Sequence, residues 1–534
     1  MQRHRTPPSR PQGPPHRRTR RRLHTALLAL TATGGLLLTA CSGSDNGSSG
    51  SSNRSDSHHS AGLPAPGPAG SAAVGENRSA TGDATRSPST DYLSTFALDV
   101  DTASYGYARR VLDEGRLPDP SDVRPEEFVN SFRQDYERPD GNGFTVTVDG
   151  ARTDRANWSL VRVGLATRAA ESGDERPPAA LTFVVDVSGS MQETGRLDLA
   201  KRSLDTMTDK LRDDDSVALV TFSDEARTVL PMTRLGDHRG RVHDAIESLE
   251  TEDSTNLGAG VETGYETATE GLRKGATNRV VLISDGLANT GDTDPDSILE
   301  RVAHERRDHG ITLFGVGVGS DYGDALMERL ADKGDGHTAY VGSDADARKV
   351  FVDQLPQNID LTARDAKAQV AFDPQTVAEF HLVGYEDRKV ADDDFRDDNV
   401  DGGEVGPGHT VTALYAVRTR PGADGHLATA SVRWLDPDTR APHEESGQLE
   451  TGALHEDLWE APKRFQVTAV AAYFADSLRA GDARSGELDT NTGSLPGNPG
   501  LDQLGERAHA LADQTDDADV QHLADAIDEA SLME

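Results

Sequence analysis

Asp186, Ser188 and Ser190 stand at i, i+2 and i+4 in the stretch Leu181-Thr-Phe-Val-Val-Asp-Val-Ser-Gly-Ser-Met191. In an extended turn alternate side chains point the same way, so this spacing can aim one carboxylate and two hydroxyls at one place. Such a set suits a hard cation like Mg²⁺, which wants an octahedron of oxygens and gives up its waters reluctantly. Neutral hydroxyls close to the ion leave most of its charge uncancelled and ready for a carboxylate from outside. A second aspartate, Asp285, ends the run Arg279-Val-Val-Leu-Ile-Ser-Asp-Gly286 in the same manner. Asp, Ser and Gly are also ordinary turn residues, and one such motif alone would read equally well as a strand-end turn.

A sheet must position these residues. Runs this short and apolar read as central strands of a parallel sheet, buried on both faces. In open α/β sheets ligands sit beyond the carboxyl ends of such strands. Between residues 179 and 357 strand and helix patterns alternate, which is the α/β signature. Leu197, Ala200, Leu204, Met207 and Leu211 mark one helix face, and residues 216–222 a strand. Asp294-Pro295 opens another helix, with proline at its favoured first position and Ile298 and Val302 facing inward. Residues 311–318 form a further strand. Its glycines are no dinucleotide fingerprint, since Ser320 stands where the third glycine belongs.

The flanks read differently. Residues 90–178 hold a strand at 95–100, a helix at 102–114 closed by Gly115, and alternating, half-buried strands at 143–148 and 158–166. Asp99-Val-Asp101 invites comparison with the D-x-D-x-T of phosphatases. Ala103 breaks that match, and Asp101 or Thr102 reads instead as a helix N-cap. Residues 358–460 carry an antiparallel pattern at 366–372, 380–384, 409–418 and 428–434. Neither set of strands suffices alone, so both flanks are expected to build one sandwich interrupted by the α/β segment. Asp397-Asp-Asn-Val-Asp-Gly402 opens like an EF-hand loop, but Gly408 replaces the closing glutamate, which leaves a solvated acidic loop. Residues 461–534 are helical, with apolar stripes Val467, Val470, Ala471, Phe474, Leu478 and Val520, Leu523, Ala524, Ile527. The expected fold class is α/β: a doubly wound, mostly parallel, Rossmann-like sheet inserted in or flanked by a β-sandwich-like domain, with a helical C-terminal region.

The 534 residues carry a net charge of −36 although the first 40 hold eight arginines and no acid. The rest is acidic enough to exclude nucleic acid as a partner. Cys41 is the sole cysteine, so neither an intramolecular disulfide nor a cysteine metal site can form. A basic segment, an apolar stretch and small residues before the cysteine describe a secretory signal over residues 1–40. Leu38-Thr-Ala-Cys41 resembles the bacterial lipoprotein box, which implies lipid on Cys41 and a place on the cell membrane, outside the cytoplasm. Residues 41–89, rich in Ser, Gly, Asn, Ala and Pro, read as a disordered tether.

The D-x-S-x-S pattern resembles the metal-ion-dependent adhesion site of von Willebrand factor type A (VWA) domains. Ser254-Thr-Asn-Leu-Gly-Ala-Gly260 is similar to that family's second loop, and Ser284-Asp285-Gly286 to its third. The resemblance implies Ser188, Ser190 and Thr255 as direct ligands of Mg²⁺, Mn²⁺ or Ca²⁺, with Asp186 and Asp285 acting mostly through water. It also implies a protein partner that offers a Glu or Asp to the ion. Glu252-Asp253 stand where many relatives have glycines, which adds negative charge nearby. Together with residues 94–105, Gly384-Tyr-Glu-Asp-Arg388 and Gly408-His-Thr-Val-Thr-Ala-Leu-Tyr415, these features resemble bacterial surface lipoproteins with a central VWA domain and a C-terminal domain of unassigned function. The expectation is a binding module and not an enzyme, since the sequence holds no G-x-S-x-G elbow, no H-E-x-x-H and no P-loop lysine. A scaffold or assembly component of an envelope complex is the alternative, and a hydrolase a more distant one.

Overall fold

The computed structural model describes residues 92–169, 176–285, 295–319, 324–334, 336–354, 359–437, 439–480 and 495–533. Cys41, the signal-like segment and the tether lie outside them.

Six strands form one sheet in the order Ala226–Arg234, Ser216–Phe222, Ala179–Asp186, Thr277–Ser284, Thr312–Val318 and His337–Val341. All pairings are parallel except that of Ala226–Arg234, an antiparallel edge strand absent from the sequence reading because its alternation is largely polar. Helices cover both faces. Leu181, Phe183 and Val185 pack against Leu197, Leu204 and Met207 of the helix Arg196–Lys210. On the other face Val184, Val220 and Leu282 meet the helices Leu257–Glu270 and Pro295–His309. This double burial is why the strand Ala179–Asp186 carries an unbroken apolar run. Leu257–Glu270 lies unusually close to the sheet: a Cβ at Gly264 would sit 2.4 Å from Val184 Cγ2.

Two antiparallel sheets use strands from both sides of this segment. One runs Leu93–Ala97, Ala363–Phe372, His426–Leu435, Pro442–Glu450, with Gly403–Val405 also on Ala363–Phe372. The other runs Val377–Leu382, Thr410–Thr419, Trp158–Thr167, Phe144–Arg152. They face each other through Val163, Tyr415, Val370 and Val432, with Phe372 and Tyr415 rings 5.2 Å apart. The outer face of the second sheet, through Leu160, Leu414 and Ala416, is covered by the helices Lys463–Ala480, Leu501–Thr515 and Ala518–Ser531. Trp158–Thr167 is therefore buried along its whole length, not half-buried as its alternation reads. For the same reason Lys463–Ala480 shows no single stripe. Ala469, Ala472, Tyr473 and Ala475 are buried along with the predicted Val467, Val470, Ala471, Phe474 and Leu478.

The flanks grip the amino ends of the parallel strands. Helix Ala103–Asp113 packs Tyr107 on Tyr340 (5.9 Å between rings) and Tyr105 on Phe128 (5.3 Å), so it belongs to both cores. Thr102 takes the N-cap position without a side-chain cap bond, and Asp101 has another task. One of its oxygens accepts from Thr338 N at 2.7 Å, in the last parallel strand, and the other from Arg388 Nη2 at 2.9 Å. Arg388 Nε also donates to Asp99 at 3.2 Å, and Asp99 in turn accepts from Asp101 N at 2.8 Å. The D-x-D pair is a buried clasp joining three parts of the chain.

Asp101→Ala should cost about 2–4 kcal/mol, because it takes the acceptor from the buried Thr338 N–H and one carboxylate from Arg388, which keeps Asp99; urea unfolding of the two proteins measures it. A pH effect follows from Glu126, at the start of the helix Pro125–Asn130 and 4% exposed. Burial first, then Glu386, pushes its carboxyl up to about 7. A raised folded-state value means stability present below the ordinary value of 4.5 and lost as pH climbs toward 7. Glu126→Gln should thus raise the melting temperature at pH 8 and have little effect at pH 4.5.

Candidate metal centre

The strand Ala179–Asp186 ends in a turn that Asp186 itself closes: its Oδ1 accepts from Ser188 N at 2.9 Å, while Oδ2 accepts from Ser284 Oγ at 2.6 Å. Ser284 ends the neighbouring strand, so two strand termini are tied through one carboxylate. Ser188 Oγ and Ser190 Oγ are 3.0 Å apart, and Ser190 Oγ donates to Asp285 Oδ1 at 2.8 Å. Four of the five predicted residues thus form one hydrogen-bonded cluster of oxygens at the carboxyl edge of the sheet.

Thr255 reaches this edge on its own loop. Glu252 N donates to Val187 O at 2.6 Å and Asn256 N to Ser223 O at 2.7 Å, which seats the loop on the ends of two strands. Ser254 turns through the left-handed region (φ 68°), and Asn256 Oδ1 caps the following helix at Ala259 N, 3.1 Å away. Thr255 is buried. Glu252, the departure noted in the sequence, accepts from Ser223 Oγ at 2.6 Å and pairs with Arg227 at 2.7 Å, so much of its charge is matched.

Asp186 is fully buried, and burial, with Asp285 adding to it, lifts its carboxyl to about 6. A nearby cation would reverse that penalty. The donor set, hydroxyls and carboxylates only, fits a hard divalent ion. Arg196 was not anticipated: its Nη1 donates to Asp285 Oδ2 at 2.8 Å. The available signal was its position, first in a helix, where the dipole disfavours a cation unless an anion lies close.

Residues 180–354 match the family model described as von Willebrand factor type A domain, and residues 358–426 that of "Uncharacterized protein YfbK, C-terminal". Residues 76–162 match a model described as von Willebrand factor. "Uncharacterized protein YfbK" of Escherichia coli (strain K12) is 35% identical over 414 residues, 73% of this chain and 72% of that protein. The chain belongs to the YfbK family. "Uncharacterized protein sll0103" of Synechocystis is 27% identical over 204 residues, 38% of this chain and 47% of that one. Among solved structures, "von Willebrand factor type A from Catenulispora acidiphila" superposes with a TM-score of 0.43 at 16% identity, over 73% of this chain and 91% of that one.

Within the segment matched by the YfbK C-terminal model lies the EF-hand-like loop. A lysine ammonium sits in it. Lys367 Nζ donates to the carbonyls of Asp397 (2.5 Å), Val400 (3.0 Å) and Asp394 (3.3 Å). The loop's carbonyls converge as they would on an ion, and the chain supplies the charge itself. Asp398 faces outward to Arg433 at 2.8 Å. Lys367→Met should lower stability by about 2–4 kcal/mol, since it leaves three carbonyls without their donor; urea unfolding with and without Ca²⁺ checks this. Wild type should show no Ca²⁺ effect from this loop.

Proposed function

We propose that this YfbK-family chain is a membrane-anchored extracytoplasmic protein that binds a protein ligand through a divalent cation held at the Asp186 cluster. The observation that carries this reading is the convergence of Asp186, Ser188, Ser190 and Asp285 in one hydrogen-bonded set, with the Thr255 loop seated beside it. Ser188, Ser190 and Thr255 would hold Mg²⁺, Mn²⁺ or Ca²⁺ directly, and Asp186 and Asp285 would orient its waters. The bound ion would supply an electrophilic position for a partner's Glu or Asp. The chain's own part is to keep the oxygens in place: Ser284 and Ser188 N fix the Asp186 carboxylate, and Ser190 fixes that of Asp285.

Binding, not hydrolysis, is the reading the serines support. Ser190 donates to a carboxylate and lies against Ser188, an arrangement of ligands and not of a nucleophile beside a base. The anchor belongs to the same proposal and rests on Leu38-Thr-Ala-Cys41. No helix among the described residues is long and apolar enough to cross a membrane. The two antiparallel sheets and their helices are read as one platform, interrupted by the VWA domain and carrying it.

Melting curves in EDTA, Mg²⁺, Mn²⁺ and Ca²⁺ test the centre. Wild type should be stabilised by at least one cation, by about 2.7 kcal/mol at a hundredfold excess over Kd. Asp186→Ala and Thr255→Ala should both lose that gain, the second without any change of charge. A wild type indifferent to every cation sinks the reading, and a gain that survives in both variants moves the metal elsewhere.

A further inference from the structure

Arg196 opens the helix Arg196–Lys210, directly behind Gly195 at φ 76°. A helix amino terminus carries partial positive charge, so an arginine there is out of place on local grounds. Its side chain is nonetheless only 7% exposed, and Nη1 reaches Asp285 Oδ2 at 2.8 Å and Ser190 O at 3.5 Å. The slot is shaped for it: a Cβ at Gly319 would lie 2.4 Å from Arg196 Nε. Glu193, 3.6 Å from Nη2, is 69% exposed and screened by solvent. The other oxygen of Asp285 is the one that takes the Ser190 hydroxyl. Asp285 therefore enters the cluster already matched by a fixed cation.

We propose that Arg196 sets how tightly the centre holds its ion, keeping it loosely bound and still positively charged until a ligand's carboxylate arrives. This rests on the reading of the cluster as a metal centre. Asp186 and Asp285 bring two negative charges and Arg196 one positive, so one net negative charge faces a divalent ion. The difference is the single charge that an acidic side chain supplies. Without Arg196 the two carboxylates would neutralise the ion by themselves, and little attraction for an acid would remain.

The test is Mn²⁺ binding to the purified full chain, followed by the electron paramagnetic resonance signal of free Mn²⁺. Arg196→Gln retains a donor toward Asp285 without the charge, and should bind Mn²⁺ on the order of tenfold more tightly than wild type. Arg196→Lys, which keeps the charge, should stay within about threefold of wild type on the same argument. The pair Asp285→Asn and Arg196→Gln/Asp285→Asn covers the case in which Arg196→Gln does not fold. Removing both members leaves neither half of this buried ion pair without its partner, and the double variant should bind more tightly than Asp285→Asn alone. Equal or weaker binding by Arg196→Gln, or by the double variant against its single parent, overturns the proposal and makes Arg196 a mere support for Asp285. A wild type that takes up no Mn²⁺ overturns the metal centre itself.

Discussion

Nine backbone pairings, from Trp158 opposite Arg418 to Ala166 opposite Thr410, join a strand before the VWA domain to one after it. The rest of the architecture depends on that ladder. It closes the chain around an entire α/β domain, and the entropy of so long a closure grows only slowly with length. A short ladder buried on both faces can therefore hold it. Sheet partners and helices cover Trp158–Thr167 completely, which removes the competition of water for its hydrogen bonds. The same closure brings both ends of the VWA segment to one side, so the amino ends of the parallel strands meet the flanks. The carboxyl ends carry the oxygen cluster.

An acidic chain would be expected to struggle with buried carboxylates, yet several are fully withdrawn from solvent here. Four of them are matched by an arginine from another stretch of the chain. Arg388 serves Asp99 and Asp101, Arg196 serves Asp285 and Arg176 serves Asp215 at 2.6 Å, while the half-buried Asp149 takes the buried Arg162 from the adjacent strand at 2.6 Å. Burying a charge is costly unless it is paired and hydrogen-bonded, and arginine, with five donors in a fixed fork, can do both at once. Lys367 shows the complementary case, a cation whose ammonium donates to three backbone carbonyls. Arginine rather than lysine thus has a structural use at these positions.

What could be read beforehand was whatever local spacing determines. Asp186, Ser188, Ser190 and Asp285 converge because they end or directly follow two strands whose apolar runs are visible on their own, and adjacent parallel strands bring their ends together. Helix Pro295–His309 begins where Asp294-Pro295 places it. The strands 143–148 and 158–166 were visible, and the first is half-buried as its alternation reads; the full burial of the second was not legible, because the helices covering it lie some three hundred residues on. Arg196, Lys367 and the Asp99–Asp101 clasp escaped for one shared reason: their partners come from remote elements, and a lone charge in a sequence does not say what it will face. The clasp was read as a helix cap because the local alternative was the only one that spacing could suggest.

Each parallel strand is a covalent path between the amino and carboxyl edges of the sheet. Strand Ala179–Asp186 starts beside the flanking domain, where Thr277 N donates to Pro178 O at 2.9 Å and Thr277 Oγ1 to Ile359 O at 2.6 Å. It ends in the proposed metal ligands. A partner pulling on the ion would load this strand along its length, against parallel ladders on both sides at once. Those bonds share such a load and do not open one by one as at a frayed end. At the far edge the load would pass through Asp101, Arg388 and the Trp158–Thr167 ladder into the helical layer. On the proposed reading, a binding face at the carboxyl edge and the clasp at the amino edge would be two halves of one requirement: a ligand held in front, a platform holding behind, and a rigid sheet between them.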